Sequence, residues 1–91
     1  MAKSNLIIDN ERTRVIEWIF KIGEETGQHI HEYDYVVVHI LDRELIIINK
    51  DGSESVSKLS KGISYFRKKG VNHNVINRNN FKYRFVEIEI K

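Results

Sequence analysis

Hydrophobic and polar residues alternate near the start of the chain with the period of a β-strand. From Arg14 to Ile22 the even-numbered positions share one face, which includes Trp18 and Phe20. Because successive side chains of a strand point to opposite faces, this pattern predicts a strand whose Trp18 face is turned inward.

Two short, strongly apolar runs follow at 36–41 and 45–48. Both are rich in β-branched residues and apolar on both faces, so each predicts a strand that is buried on both sides. The pair Asp51-Gly52 comes shortly after the second run. It favours a hairpin, because glycine tolerates the positive φ that a tight turn needs.

The rest of the chain has the pattern of further strands. Short extended segments are predicted at 54–59, 63–67 and 73–77, and a long one at 81–90. In the long segment the apolar positions change parity between Phe85 and Val86, which predicts a bulge or a change of neighbouring sheet. Many short strands without a convincing helix indicate an all-β antiparallel sandwich or barrel. Since the chain has no proline and no linker, we expect a single domain over residues 1–91.

Composition limits the class of protein. With 41% hydrophobic and 31% charged residues the chain is typical of a folded domain, and 91 residues allow one small core. Because so small a core leaves little stability to spare, we expect a second copy to cover an apolar sheet face in a homodimer. The absence of cysteine excludes disulfides, thiolate metal sites and thiol nucleophiles, so any metal is bound through nitrogen and oxygen.

Charge and hydropathy indicate no macromolecular partner other than a second copy. The net charge of +2 is small, and the basic residues at 67–69 and 78–84 lack the interleaved exposed aromatic residues of a nucleic-acid surface. No apolar run approaches the ~20 residues that span a bilayer, and the N-terminal segment lacks the long apolar region of a secretory signal. We therefore expect a cytoplasmic protein with no nucleic-acid or membrane partner.

Four histidines are the main candidates for chemistry. His29 and His31 lie two positions apart, so on a strand both imidazoles point the same way and can converge on one ion. The pattern is common by chance, and solvated histidines in a loop after Gly27 are the alternative. His39 lies three positions after Val36, so on a strand its side chain points to the opposite face. It is expected to face outward, as a packed histidine of the sheet.

The spacing around these histidines resembles a known family. Residues 23–43, GEETGQHIHEYDYVVVHILDR, resemble the first motif of the cupins, with Gly23 six positions before His29. Residues 62–77, GISYFRKKGVNHNVIN, resemble the second motif, although Lys68 stands where proline is usual. In register with the second motif are Gly62, Gly70, His73 and Asn77. The resemblance implies a cupin barrel, a jelly roll also called a double-stranded β-helix.

The resemblance also implies a bound metal ion. The ligands that it carries over are His29, His31 and His73. The family's glutamate ligand is missing, because the two spacing variants of the motif place Val36 or Tyr35 at its position. Asp34, on the same face as Val36, is the alternative source of a carboxylate.

The missing carboxylate changes the expected charge of the site. Three neutral imidazoles leave a divalent ion with its full charge, which favours anionic ligands and substrates. Three protein ligands also leave open positions for water or substrate. The expected cofactor is one divalent transition metal, Fe, Zn, Ni, Mn or Cu, whose identity stays open. A second departure from the motif is Arg43, which replaces its last glycine.

Longer strings extend the resemblance. HEYDYVVV, YFRKKGVNHNVIN and the terminal FVEIEIK look like a group of short bacterial single-domain cupins that includes a β-alanine degradation protein. The resemblance implies a role in the catabolism of small amino or carboxylic acids. The leading hypothesis is a metal-dependent enzyme of the oxygenase, lyase or isomerase type that acts on a small carboxylate-bearing metabolite. The alternative is a non-catalytic module that binds a small ligand.

Three residues are candidates for substrate binding. Arg14 lies on the inward face, where its guanidinium can pair with both oxygens of a carboxylate, although a strand-end arginine in solvent is the alternative. Trp18 is expected in the core with a ring edge in the pocket wall. Arg67 lies on a strand that can line the pocket, and the sequence does not define its direction. Asn77 is expected to be structural, through hydrogen bonds to local backbone.

Overall fold

Nine strands in two antiparallel sheets make up the protein in a computed structural model, which describes residues 1–91 except for the side chain of Leu59. The strands are β1 Lys3–Asp9, β2 Thr13–Phe20, β3 His29–Ile30, β4 Asp34–His39, β5 Arg43–Asn49, β6 Glu54–Leu59, β7 Ser64–Arg67, β8 Asn72–Ile76 and β9 Tyr83–Ile90. The larger sheet has the order β1-β2-β9-β4-β7 and the smaller sheet the order β3-β8-β5-β6. The described residues contain no helix that could span a membrane. The all-β antiparallel prediction is confirmed.

The core lies between the inner faces of the two sheets. Its buried apolar side chains are Phe20, Tyr35, Val37, Leu45, Val75, Tyr83 and Phe85. Trp18 is the register partner of Phe85 across β2 and β9, which confirms the predicted inward face of β2. The inward position predicted for Ile22 is wrong, because β2 ends at Phe20 and the following turn leaves Ile22 65% exposed.

The predicted register shift in the last strand is also wrong. β9 pairs with β2 over its whole length and with β4 over residues 85–90, in one unbroken register. Its buried side chains Tyr83, Phe85 and Glu87 alternate without a change of parity. The apolar pattern changes after Phe85 because an acidic residue, Glu87, takes the next inward position, while the following apolar residues lie on the outer face.

Strand β4 is buried on one face and partly covered on the other. Tyr35, Val37 and His39 point into the core, whereas the alternate residues are only half-buried. In β5 only Leu45 is fully buried. The prediction that these runs are buried on both sides is therefore wrong. The outward direction expected for His39 is wrong as well, since His39 is 1% exposed.

The outer face of the larger sheet carries an apolar row. By strand register Val15 faces Ile88, Ile88 faces Val36, and Val36 faces Phe66, so the row crosses four strands. Phe66 is half-exposed at its end. The homodimer expected from the sequence stays a prediction, and this row is the apolar surface that a second copy would cover.

Two turns use positive φ in different ways. The predicted hairpin after β5 is confirmed, with the Asn49 N–H donating to the Ser53 carbonyl at 2.8 Å and Gly52 at φ 86°. Arg43 has φ 124°, at the position where the first cupin motif has its last glycine. A residue with a Cβ pays about 1–3 kcal/mol for such a conformation.

Replacing Arg43 with glycine should therefore stabilise the protein by about 1 kcal/mol, because glycine adopts this φ without steric cost. In a domain of this size that raises the melting temperature by roughly 4–8 °C. Differential scanning calorimetry measures the shift. The control is Glu44→Gly, at the next exposed position of β5, which should lower the melting temperature. A decrease in both variants would contradict strain at Arg43.

His39 is enclosed by aromatic rings. Its Nδ1 atom lies 3.2 Å from the Tyr83 hydroxyl, and its ring centre lies 5.6 Å from that of Tyr65. Its Nε2 atom is buried without a hydrogen-bond partner among the described residues. Burial lowers the pKa of His39 to about 4, so the folded state holds this imidazole neutral at pH 7.

Acid should therefore destabilise the fold through His39. The stability that depends on its neutral form is complete above the unfolded pKa of about 6.5 and is lost as the pH falls through about 4. In His39→Phe the unfolding free energy should depend on pH less steeply, by at most about 1.4 kcal/mol per pH unit between those values. Urea unfolding at several pH values measures both slopes. Equal slopes would count against this role of His39.

Candidate metal centre

Three histidines converge between the two sheets. His29 on β3 is the register partner of His73 on β8, and His31 follows just after β3. The Nε2 atom of His31 lies 3.1 Å from Nε2 of His29 and 3.1 Å from Nε2 of His73. With metal–nitrogen bonds of about 2.1 Å, ligand nitrogens lie about 3.0 Å apart in an octahedral site and about 3.4 Å apart in a tetrahedral one. The spacing of this triad fits a single divalent ion.

Gly27 and Asn74 orient the first histidine of the triad. Nδ1 of His29 lies 2.8 Å from the Gly27 carbonyl oxygen, which can only accept a hydrogen bond. Nδ1 therefore carries a hydrogen, and the tautomer of the neutral ring is the one that leaves the Nε2 lone pair for a metal. The Gly27 N–H donates in turn to the side-chain oxygen of Asn74 at 2.9 Å. These contacts exclude the solvated loop histidine that the sequence left as an alternative.

His31 is held between two residues of the larger sheet. Its ring stacks on Tyr35, with ring centres 3.9 Å apart and an interplanar angle of 17°. Of the two positions that the spacing variants of the cupin motif give for its glutamate, Tyr35 is the one that points inward. The other ring nitrogen of His31, Nδ1, lies 3.9 Å from Oε2 of Glu87.

The environment keeps two histidines of the triad, His31 and His73, unprotonated. Burial, then the proximity of the other two histidines, lowers the pKa of His31 to about 3. Burial, then His29 and the charge of Arg67, lowers the pKa of His73 to about 4. Both imidazoles are therefore neutral at pH 7, which is the form that binds a metal.

The structure does not bring Asp34 into the triad. Asp34 alternates with the buried Tyr35 and is only half-buried. Its Oδ1 atom accepts the backbone N–H of Lys69 at 2.8 Å. Among the described residues, the group that can hold a metal consists of His29, His31 and His73. Asp34, the alternative source of a carboxylate, is not part of this group.

Asn77 has the structural role that the sequence predicts. Its side chain is fully buried, and its Nδ2 donates to the carbonyl oxygen of Phe81 at 2.9 Å. Its Oδ1 atom accepts the backbone N–H of Asn79 at 3.1 Å. Asn77 therefore fixes the turn between β8 and β9.

The two arginines that were predicted to bind substrate have different neighbours in the structure. Nη1 of Arg14 lies 3.5 Å from Oε2 of Glu89, and its Nε lies 3.7 Å from Oδ1 of Asp9. Two carboxylates of the chain therefore compete with a substrate for Arg14. The guanidinium of Arg67 lies 4.4 Å from the centre of the Tyr65 ring. Within the described residues, none of the arginine salt bridges involves Arg67.

The space around the triad is divided between an interior cavity and two clefts. The interior cavity, which Trp18 lines, measures about 20 Å³ and holds little more than one water molecule. One cleft of about 220 Å³ reaches His73 and is lined by Arg67. The other, of about 230 Å³, reaches His31 and is lined by Arg14. An organic ligand must therefore occupy a cleft rather than the interior.

Glu87 is the site residue that the sequence argument missed. It is 5% exposed and lines both the interior cavity and the Arg14 cleft. Burial, then the charge of Glu89 and a hydrogen bond with it, raises the pKa of Glu87 to about 8. The sequence signal that could have identified Glu87 is the alternation of strand faces, because continuing it from Tyr83 and Phe85 puts Glu87 on the inner face.

Comparison with known proteins identifies close relatives. No family model matches the chain. The beta-alanine degradation protein BauB of Pseudomonas aeruginosa is 46% identical over 84 residues, which cover 92% of this chain and 87% of that protein. The crystal structure of a cupin domain from Bordetella pertussis is 48% identical, with a TM-score of 0.95 over 99% of this chain and 93% of that chain.

A more distant structure shows the same fold. An RmlC-like cupin family protein from Methanocaldococcus jannaschii, with a double-stranded β-helix fold, has a TM-score of 0.81 at 13% identity, over 99% of this chain and 80% of that chain. The predicted jelly-roll architecture is thereby confirmed. The chain therefore belongs to the cupin family, as a small member related to BauB.

Proposed function

We propose that this cupin binds one divalent transition metal through His29, His31 and His73 and acts on a small metabolite that carries a carboxylate. The observation that carries the proposal is the triad, in which Nε2 of His31 lies 3.1 Å from each of the other two Nε2 atoms. When bound, a divalent ion supplies a Lewis acid with open coordination positions. The neutral state of His31 and His73 at pH 7 and the defined tautomer of His29 support this use.

The charges of the two clefts favour one side for an anionic substrate. The Arg67 cleft contains no carboxylate among the described residues that line it: Tyr35, Ile47, Asn49, Ser55, Val56, Ser57, Tyr65, Arg67, Val71 and His73. The Arg14 cleft is lined by three acidic side chains, those of Glu32, Glu87 and Glu89. A substrate carboxylate is repelled by the acidic side chains of Glu32 and Glu89 and attracted by Arg67.

Neutral hydroxyl groups accompany Arg67 in its cleft. Burial raises the pKa values of Tyr35 and Tyr65, so both phenols keep their protons at neutral pH and can donate hydrogen bonds to substrate oxygens. The planar guanidinium of Arg67 matches the two oxygens of a carboxylate. These residues would hold the acid end of a substrate beside His73, while Trp18 forms a wall of the interior cavity.

The relative BauB supports a substrate of small size. Its name assigns it to β-alanine degradation, and β-alanine is a short amino acid with one carboxylate. A cleft of about 220 Å³ suits a molecule of this size better than a drug-sized ligand, which typically needs about 300 Å³ or more. We therefore place this cupin in the catabolism of β-alanine or a related small acid.

Replacing His73 with alanine should abolish stoichiometric metal binding without unfolding the barrel, because the remaining two imidazoles hold an ion much less tightly. Elemental analysis after loading with Zn²⁺ or Fe²⁺ and gel filtration measures the metal content, and circular dichroism measures the fold. His39→Phe removes a buried histidine outside the triad and should keep one ion per chain. Full metal content in His73→Ala would refute the site assignment.

Replacing Arg67 with glutamine should weaken carboxylate binding about 10- to 100-fold, the equivalent of one charge-assisted hydrogen bond. Calorimetric titration of the metal-loaded protein with β-alanine, propionate and ethylamine separates the roles of the acid and the amine. Arg84→Gln is the matched control, because Arg84 pairs with Glu17 away from the triad. Equal affinity of the wild type and Arg67→Gln for propionate would contradict the role of Arg67. Binding without any product would favour the non-catalytic ligand-binding module.

A further inference from the structure

A buried carboxyl group faces the outer edge of the triad. The side chains of Glu87 and His31 are each 7% exposed, and Oε2 of Glu87 lies 3.9 Å from Nδ1 of His31. Glu87 comes from β9 of the larger sheet, whereas the three histidines come from β3, β8 and the residue that follows β3. The two sheets therefore meet at this contact.

The two nitrogens of His31 have different neighbours. Nε2 faces the other two histidines, and Nδ1 faces Glu87. The ring plane is set by stacking on Tyr35. When Nε2 uses its lone pair for a metal, Nδ1 carries the hydrogen, and it faces the Glu87 carboxyl group at 3.9 Å, which is longer than a hydrogen bond.

Glu87 has no permanent cation to offset its charge. Among the described residues, no lysine or arginine lies within salt-bridge distance of Glu87, and its titratable neighbours are the His31 imidazole and the Glu89 carboxyl group. Arg14 is nearby but pairs with Glu89 and Asp9. A buried carboxylate is costly unless a positive charge lies close to it. A divalent ion in the triad is the charge that this position lacks.

We propose that Glu87 is the positioning residue of the metal centre: when the ion is bound, its carboxylate closes the 3.9 Å gap, accepts the Nδ1 hydrogen of His31 and supplies, from outside the ligand set, the negative charge that Tyr35 cannot provide. The inference rests on metal binding by the triad, as proposed above. Carboxylates that accept a hydrogen bond from a ligating histidine orient its ring and raise its basicity, and their loss typically costs 10- to 100-fold in metal affinity.

The test is a Zn²⁺ titration of the wild type, Glu87→Gln and Glu17→Gln by competition with a chelator. Glu17 is a matched control, because it lies on the neighbouring strand β2 and pairs with Arg84 on the other face of the sheet. We expect Glu87→Gln to bind Zn²⁺ about 10- to 100-fold more weakly and Glu17→Gln to match the wild type. The metal-free Glu87→Gln protein should melt no lower than the wild type, since it loses a buried acid, so weaker binding would not reflect misfolding.

A spectroscopic signature separates positioning from a merely structural role. In the Zn²⁺-loaded wild type, ¹⁵N NMR should show His31 protonated at Nδ1, with a hydrogen-bonded proton shifted downfield. In Glu87→Gln this proton should move upfield and exchange faster with water. An unchanged Nδ1 proton together with weaker binding would overturn the proposal in favour of direct ligation by Glu87.

Two further results of the metal titration would have different consequences. Equal Zn²⁺ affinity in the wild type and Glu87→Gln would overturn the positioning role and leave the metal site intact. A wild type that binds no Zn²⁺, Fe²⁺ or Ni²⁺ would overturn the proposed function, and the role of Glu87 with it.

Discussion

The register between β3 and β8 is the interaction on which the candidate site depends. It places His29 opposite His73, from two distant parts of the chain. A slip of one residue would turn every side chain of β3 to the other face of the sheet, and His29 would leave the triad. Backbone bonds from the His31 N–H to Val71 and from the Gly70 N–H to the His31 carbonyl hold the same register just beyond β3.

The two sheets bring different chemistry to this point. The smaller sheet and its adjoining residue supply three imidazoles, and the larger sheet supplies Tyr35 and Glu87. Tyr35 fills with an aromatic ring the position at which the cupin motif has a carboxylate. Glu87 places a carboxyl group nearby, but at the outer edge of His31. In our proposal negative charge thus stays near the metal although the set of ligands has changed.

Departures from the motif leave the fold unchanged because register and core packing maintain it. Arg43 replaces a glycine, yet its backbone keeps a positive φ of 124°. Tyr35, at the glutamate position of the shorter spacing variant, is buried in the core beside Val37. The TM-score of 0.95 to the Bordetella pertussis cupin domain shows how closely the architecture is kept. Motif residues can therefore change their chemistry while the backbone that presents them persists.

Local patterns in the sequence determined most of the strands, though not β1, together with the hairpin at Gly52 and the three histidines, because period-two alternation, turn residues and motif spacing are encoded by neighbouring residues. Parity along a strand, however, defines two faces without stating which one meets the core. Only the tertiary structure decided that His39 points inward and that β9 continues through Glu87 without a shift. The apolar pattern predicted a shift in β9 because a buried acid, Glu87, occupies an inner position. The place of Glu87 beside His31 depends on a contact between the two sheets, which no local sequence pattern records.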